Sequence, residues 1–360
     1  MKKIISMLLL ITLLGTLVVG CAKSSDDDSA TNTQNGNQSE TQSETQEDNN
    51  TEKKFALIVK NTGNPYNEKQ IEGFENAIDE IGGEAIIKAP DQPTAEAQIQ
   101  MINELIIQEV DVIAIAGNDP DALQPALQEA MNAGIKVLSL DSAVNADSRM
   151  VHVNQADPER IGRVQVQAIS EMIGGEGEIA ILSATSQATN QNAWIEWMET
   201  ELEKSEYDDI ELVKVAYGDD LRDKSVSETE ALLQSYPDLK GIISPTTVGI
   251  AAAGKVLTDK GLKGEVELTG LGLPSEMADY IESGVSQWMY LWNPIDVGYL
   301  SGYSANALVE GTITGEAGET FEAGDLGEKE VVQVGDGTEI MLGDPFEFNA
   351  ENIGEWKEVY

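Results

Sequence analysis

Polar and aromatic side chains follow most of the strands that the sequence predicts, and these are the residues whose chemistry could serve a site. The candidates are Lys60, Asn61, Tyr66, Asn118, Asp141, Asn190, Gln191, Pro245, Thr247, Trp292 and Asn293. Carboxylates accept hydrogen bonds from hydroxyl groups, lysines and amides donate them, and aromatic faces cover apolar C–H surfaces. The set therefore favours the binding of a small, neutral, hydroxyl-rich molecule.

Some polar residues in these loops have a simpler structural interpretation. Asp119 and Asp121 flank Pro120, where they could cap the helix that begins there, and we favour that role for both. Trp194 and Trp197 are three residues apart on one predicted helix, which favours packing. Asp141 differs, because it directly follows an apolar strand, where an unpaired charge would be costly. A ligand rich in hydroxyl groups would satisfy it.

The sequence contains no catalytic motif that we can identify. It has neither a Gly-x-Ser-x-Gly elbow nor a phosphate-binding loop of the Gly-x-x-x-x-Gly-Lys type, and the run Gly174–Gly177 lies between a helix and a strand, in the wrong order for dinucleotide binding. With one histidine, His152, and one cysteine, Cys21, a zinc site and an internal disulfide are not expected. We predict no enzyme activity, cofactor or metal. A secreted glycosidase stays open as an alternative, because acidic residues are plentiful.

Alternating strands and helices must position these side chains. From Phe55 onward, continuous apolar runs typical of buried parallel strands alternate with amphipathic helices. The alternation restarts near Ile161, which predicts an α/β fold of two doubly wound parallel-sheet lobes joined by a multi-strand hinge. The strands are predicted at 55–59, 84–89, 110–116, 135–140, 178–183, 210–215, 241–244, 266–271 and 287–292, with a further β-pair at 329–342.

We assign the segments 54–154 and 294–325 to the first lobe. The second lobe is predicted to contain 155–293 and 326–360, with crossovers at Asn154–Gln155 and at Trp292–Asn293. Because ligands of such sheets bind beyond the carboxyl ends of the strands, the candidate residues should meet in the cleft between the lobes.

The N-terminus predicts secretion and a lipid anchor. Two lysines precede the apolar run Ile4–Val19, which is followed by Gly20 and Cys21. The segment resembles a bacterial lipoprotein signal, which implies cleavage of residues 1–20, lipidation of Cys21 and an extracytoplasmic, membrane-anchored protein. Residues 21–53 are polar and of low complexity, and we predict a disordered tether.

The charge of the chain excludes one class of partner. It has 22 basic and 64 acidic residues and a formal net charge of −42. Such a field repels nucleic acid and anionic lipid headgroups, and it does not attract an anionic ligand. We expect no nucleic-acid partner and a membrane association through the lipid alone.

Long motifs over most of the chain resemble the type I periplasmic sugar-binding proteins of ABC importers. The resemblance is strongest to the branch with rhamnose-binding and Lsr-type autoinducer-2-binding proteins. It rests on 60–66, 93–96, 118–123, 153–156, 189–195, 243–247, 291–294 and 351–354. It implies a monomer that delivers a small sugar-like ligand to an ABC permease and its ATPase.

The autoinducer-2 site of that family offers a pattern for comparison. Four of its six positions match, namely Lys60, Asp141, Gln191 and Pro245. Asn190 replaces a family aspartate and Thr247 replaces an alanine, and both departures are similar to the rhamnose-binding branch. Leu140 also lacks the tryptophan usual in both branches, which leaves more room beside Asp141. The ligand stays open between autoinducer-2, rhamnose and another small sugar.

Two further classes share this fold. A sensory receptor module that binds the same ligand and signals to a membrane partner needs no change in sequence. A repressor would need a basic helix-turn-helix in front of the first lobe, where this chain has the apolar signal segment.

Overall fold

The computed structural model describes residues 52–360, and these confirm the predicted alternation of strands and helices. The predicted signal peptide, Cys21 and nearly all of the predicted tether lie outside the described residues. The strands are β1 (Lys54–Ile58), β2 (Glu84–Lys88), β3 (Val112–Ile115), β4 (Lys136–Leu140), β5 (Val151–Ala156), β6 (Gly177–Ser183), β7 (Ile210–Tyr217), β8 (Leu239–Ser244), β9 (Glu267–Gly270), β10 (Trp288–Leu291), β11 (Thr320–Glu322), β12 (Glu328–Val334), β13 (Gly337–Gly343) and β14 (Phe346–Asn349).

Helices cover both faces of the sheets. They are α1 (Pro65–Ile81), α2 (Ala95–Ile107), α3 (Pro120–Asn132), α4 (Pro158–Ile173), α5 (Thr189–Leu202), α6 (Arg222–Ser235), α7 (Thr247–Lys260), α8 (Pro274–Ser283), α9 (Pro294–Glu310) and α10 (Ile353–Trp356). In β1, Phe55 and Leu57 face the core beneath α1, whereas Ala56 and Ile58 face the core beneath α2 and α3. Burial on both faces explains why this strand is a continuous apolar run.

Two main sheets form the two lobes. The first has the order β11-β12-β13-β5-β4-β3-β1-β2, and its pairs are parallel except at β11 and β12. The second has the parallel order β7-β6-β8-β9. The antiparallel pair β10-β14 joins it through a bridge between Leu271 and Tyr290. The predicted two-lobed α/β architecture is confirmed.

The chain passes between the sheets three times. It leaves the first sheet after β5, returns through Trp292 and Asn293 into α9, and leaves again through Asp344 and Pro345 into β14. The predicted lobe bounds placed this third passage near residue 325, whereas the structure places it at Asp344 and Pro345. Three connecting segments restrain the two lobes more than a single segment would, and they favour a hinge motion over free rotation.

The structure corrects the predicted position of the C-terminal segment. The segment 326–360 was predicted in the second lobe, but β12 and β13 extend the first sheet, where β13 pairs in parallel with β5. Of the strands in this segment, β14 alone pairs with a strand of the second lobe. The error follows from missing β5, whose polar residues His152, Asn154 and Gln155 interrupt the apolar pattern although all three are buried.

Two glycines set the distance between α1 and α9. A Cβ on Gly73 would lie 1.8 Å from the carbonyl oxygen of Ile295, and a Cβ on Gly298 would lie 1.9 Å from that of Gln70. The helices can approach this closely only without side chains at these positions. Because α1 carries Tyr66 near its start and α9 follows Trp292, this packing fixes two aromatic residues at the cleft.

Candidate functional site

A cavity lies where the carboxyl ends of strands from both lobes meet. This is the edge at which parallel α/β sheets bind ligands. Both lobes contribute to its wall. The lining residues are Lys60, Asn64, Tyr66, Asn67, Asp141, Asn190, Gln191, Trp194, Asp220, Pro245, Thr246, Thr247, Leu271, Leu291 and Trp292.

Lys60 links the two lobes across this cavity. It follows β1, and its Nζ donates to Oδ1 of Asn190 at 3.2 Å and to Oε1 of Gln191 at 3.4 Å, both on α5 of the second lobe. Asn118 supports it from behind, since its Nδ2 donates to the Lys60 carbonyl oxygen at 2.9 Å. The ammonium group is therefore held between two amide oxygens and available to ligand oxygens.

Asp141 accepts a hydrogen bond at the end of a three-residue relay. Trp292 Nε1 donates to the Tyr66 hydroxyl at 2.7 Å, and that hydroxyl donates to Oδ1 of Asp141 at 3.1 Å. Asp141 follows β4 with a φ of 58°, a left-handed conformation that few residues other than glycine adopt. Such conformations are often found at ligand sites, where the surrounding structure maintains them.

Burial controls the ionisation of this pair. Desolvation raises the pKa of Asp141 above its usual 3.8, while the positive charge of Lys60 and the hydrogen bond from Tyr66 lower it. Desolvation also raises the pKa of Tyr66 well above 10, and the charge of Asp141 adds to that rise. The phenol therefore stays protonated and remains a donor.

Aromatic rings form the apolar side of the cavity. The ring of Trp292 packs against that of Trp194 with centroids 5.7 Å apart, and against Tyr66 edge to face at 6.4 Å. Leu271 and Leu291 extend this surface. A pyranose ring presents C–H groups on its faces and hydroxyls at its edge, and the cavity offers matching apolar and polar walls.

Three of the predicted residues lie outside the cavity lining. Asn61 accepts from Nδ2 of Asn67 at 2.9 Å, and Asn293 caps α9 by accepting from the Ile295 amide at 3.0 Å. Asn118 supports the Lys60 backbone, as described above. Asn61 and Asn118 thus contact lining residues, and Asn293 directly follows the lining residue Trp292. The other predicted residues line the cavity.

Other lining residues were not predicted. Trp194 was interpreted as packing, and it does pack on Trp292, but it also faces the cavity. Asn64 lines the cavity and also caps α1 by accepting from the Tyr66 amide at 3.0 Å. Asp220 follows β7 directly after Asp219, so its position after a strand was a usable signal. The predicted capping role of Asp119 is confirmed by its bonds to two amides of α3.

Residues 52–360 contain neither a candidate metal-binding cluster nor a helix suited to span a membrane. No group of three or more histidine, cysteine or acidic side chains there is arranged to hold a metal ion. In the same range, no helix is long and apolar enough to cross a membrane.

The fold and the cavity define a two-lobed binding protein, and comparison identifies its family. A model of the periplasmic binding protein domain matches residues 55–313. The chain belongs to the periplasmic binding protein family, and membership in it defines a binding protein rather than an enzyme.

Several solved structures are similar over most of the chain. A solute-binding protein of an ABC transporter from Clostridium phytofermentas, with bound L-rhamnose, is 52% identical with a TM-score of 0.84, covering 86% of this chain and 99% of that one. A sugar ABC transporter structure from Actinomyces odontolyticus is 42% identical with a TM-score of 0.68, covering 84% and 97%. LsrB from Clostridium saccharobutylicum in complex with AI-2 shares the fold, at 22% identity and a TM-score of 0.79, covering 84% and 99%.

Curated relatives are more distant. The D-ribose/D-allose-binding protein of Pseudomonas aeruginosa is 21% identical over 60% of this chain, and the D-apiose import binding protein of Actinobacillus succinogenes is 21% identical over 53%. The matches span 66% and 60% of those relatives, which is less than two thirds of their length.

Proposed function

We propose that this chain is the extracytoplasmic substrate-binding lipoprotein of an ABC importer and that its ligand is L-rhamnose or a closely related neutral sugar. The observation that carries the proposal is the 52% identity to a solute-binding protein with bound L-rhamnose, together with a cavity of matching chemistry between the lobes. Asn190 and Thr247, the two departures from the autoinducer-2 pattern, both line that cavity.

Each lobe has a defined task in this proposal. Lys60 donates to ligand oxygens and Asp141 accepts from hydroxyl groups on the first lobe. Asn190 and Gln191 clamp the ligand from the second lobe, and Trp292 covers an apolar face of the ring. Lys60 of the first lobe contacts the side-chain amides of Asn190 and Gln191 of the second lobe. A ligand that bound all three side chains would therefore hold the lobes closed.

Titration calorimetry on the purified full-length chain tests the ligand. We expect L-rhamnose to bind and autoinducer-2 to bind at least about tenfold more weakly, since a missing hydroxyl partner leaves a buried polar group unsatisfied. Binding of autoinducer-2 at equal or higher affinity would overturn the rhamnose assignment. L-rhamnose binding by Asp141→Ala at the affinity of the unchanged protein would overturn the site.

The anchor needs a separate experiment, because Cys21 lies outside the described residues. Metabolic labelling with a radioactive fatty acid should label the unchanged chain and leave Cys21→Ser unlabelled. Equal labelling of both would exclude the anchor.

The transport role can be separated from a sensory role by uptake of labelled L-rhamnose. Deletion of the gene should abolish uptake in cells where the chain supplies an ABC permease and its ATPase. Unchanged uptake with a lost transcriptional response to the sugar would indicate the sensory module instead.

We further propose that the lobes comprise 54–156 with 294–343, and 157–293 with 346–360.

A further inference from the structure

The second lobe contributes a carboxylate to the cavity that the resemblance did not assign. Asp220 lies just beyond β7, is 8% exposed and lines the cavity. It and Asp219 have φ values of 52° and 55°, so two consecutive residues other than glycine adopt the left-handed conformation. The Gly218 amide donates to the carbonyl oxygen of Ser183, at the end of β6, at 2.8 Å, and the Asp219 amide donates to that of Ala184 at 3.1 Å. These two hydrogen bonds hold the strained turn in place.

Thr246 orients this carboxylate. Its hydroxyl contacts Oδ1 of Asp220 as a hydrogen-bond donor. Thr246 is also the N-cap residue of α7, yet its side chain makes no capping hydrogen bond with that helix. A threonine at this position normally accepts from the first turn of its helix. Here the hydroxyl holds Asp220 instead.

Asp220 lines the cavity and can accept further hydrogen bonds there. An ionised carboxylate accepts about four hydrogen bonds, and the contact from Thr246 is the one that the described residues supply to this side chain. Within residues 52–360, no lysine or arginine forms an ion pair with it. By contrast, the neighbouring Asp219 pairs with Lys224 and lies outside the cavity lining.

The cavity thus carries two carboxylates from opposite lobes and one ammonium group. Asp141, Asp220 and Lys60 are the charged residues of its lining. The charge of Asp220 acts on Asp141 across the cavity and disfavours its ionisation. Closing the lobes without a ligand therefore brings two like charges together in a buried space, which is unfavourable unless donors intervene.

We infer that Asp220 is a specificity-determining residue that accepts a hydrogen bond from a ligand hydroxyl on the side opposite to Asp141. The ligand must then donate from two separated hydroxyl groups to bring the lobes together, and the net negative lining excludes sugar acids. This inference rests on the proposed function, because it names the contact by which the same cavity selects a neutral sugar.

The test compares Asp220→Asn with Asp219→Asn in the full chain. Both substitutions remove one negative charge from the same left-handed turn, and asparagine tolerates that conformation. We expect Asp220→Asn to weaken L-rhamnose binding about 10- to 100-fold by calorimetry, and Asp219→Asn to change it less than about threefold. Equal losses in both variants would overturn the inference, because they would indicate an effect of charge or of the turn.

Monodeoxy analogues of L-rhamnose separate direct contact from a structural role. If Asp220 accepts from one hydroxyl, the loss caused by Asp220→Asn should nearly vanish for the analogue that lacks that hydroxyl and persist for the others. The same loss for every analogue would assign Asp220 to holding Thr246 and overturn the inference. L-rhamnonate should fail to bind the unchanged protein, and tight binding of this anion would also overturn it.

The proposed function can fail separately. If the unchanged protein does not bind L-rhamnose, a thermal-shift panel of D-ribose, D-allose, D-arabinose and D-apiose identifies a neutral sugar for the same comparison of the two variants. A ligand from this panel that loses affinity in Asp220→Asn alone would support the inference and overturn the rhamnose assignment. No shift with any sugar would overturn both.

Discussion

The Nζ atom of Lys60 lies 3.2 Å from Oδ1 of Asn190, so an ammonium group of one lobe donates to an amide of the other. The positive charge of Lys60 also lowers the pKa of Asp141 and so favours its ionisation. One side chain therefore joins the lobes and offsets the cost of a buried carboxylate.

Lys60→Met should nearly abolish sugar binding. The substitution keeps the length of the side chain but leaves Asp141 and Asp220 without a cation in the cavity, and it removes a donor to the ligand. We expect L-rhamnose affinity to fall about 100-fold by calorimetry. The control is Lys69→Met on α1, whose ammonium pairs with Glu72 away from the cavity. An affinity unchanged in Lys60→Met would exclude the lysine from the site.

Tyr66→Phe should interrupt the relay from Trp292 to Asp141. It removes the acceptor of the Trp292 Nε1 hydrogen bond and the donor to Asp141 while keeping the ring. An unsatisfied buried donor costs about 1–3 kcal/mol, so unfolding in urea should reveal a loss of this size and calorimetry a weaker affinity. Tyr303→Phe is a matched control, because Tyr303 donates to Glu80 outside the cavity. Equal losses of affinity in both variants would argue against the relay.

The raised pKa of Asp141 predicts opposite effects of pH on binding and on stability. Ligand hydroxyls donate to the ionised carboxylate, so affinity should fall as the pH drops through the raised pKa of Asp141. In the ligand-free protein, the folded state holds a proton on Asp141 between pH 3.8 and that raised pKa. Its contribution to stability is therefore present at low pH and lost as the pH rises through the folded pKa.

Asp141→Asn tests both the predicted pH dependence of binding and the predicted pH dependence of stability. The ligand-free variant should melt at a higher temperature than the unchanged protein at neutral pH, since a buried charge has been removed. Its residual affinity should no longer fall as the pH drops through the raised pKa of Asp141. A lower melting temperature, or an unchanged pH profile of binding, would contradict this account.

Gly298→Ala should destabilise the first lobe. Its Cβ would lie 1.9 Å from the Gln70 carbonyl oxygen, so α1 and α9 must separate. Overpacking of this kind costs about 1–3 kcal/mol, which denaturant unfolding can measure. Because α1 carries Tyr66, sugar affinity should also fall. Gly354→Ala is the control, since a Cβ there meets no atom within 4 Å and its stability should not decrease. Equal stability of both variants would show that the helices can relax.

Much of the fold follows from local patterns in the sequence. Buried parallel strands such as β1 consist of apolar residues because both of their faces are covered, and this pattern is visible without a structure. Polar residues at the strand ends, such as Lys60 and Asp141, were therefore found from their position alone. The β-pair β12-β13 was also predicted, because Gly335 marks its turn.

The tertiary structure alone decided which of these residues share a cavity. Asp220 and Trp194 belong to the site through strand order and lobe closure, and Asn61 and Asn293 lie behind its wall for the same reason. It also decided that β13 pairs with β5, which the polar residues of β5 concealed. Local sequence determines strands, helices and caps because neighbouring residues supply their forces. Contacts such as that of Lys60 with Asn190, 130 positions apart, depend on how the lobes pack, and no local pattern encodes that distance.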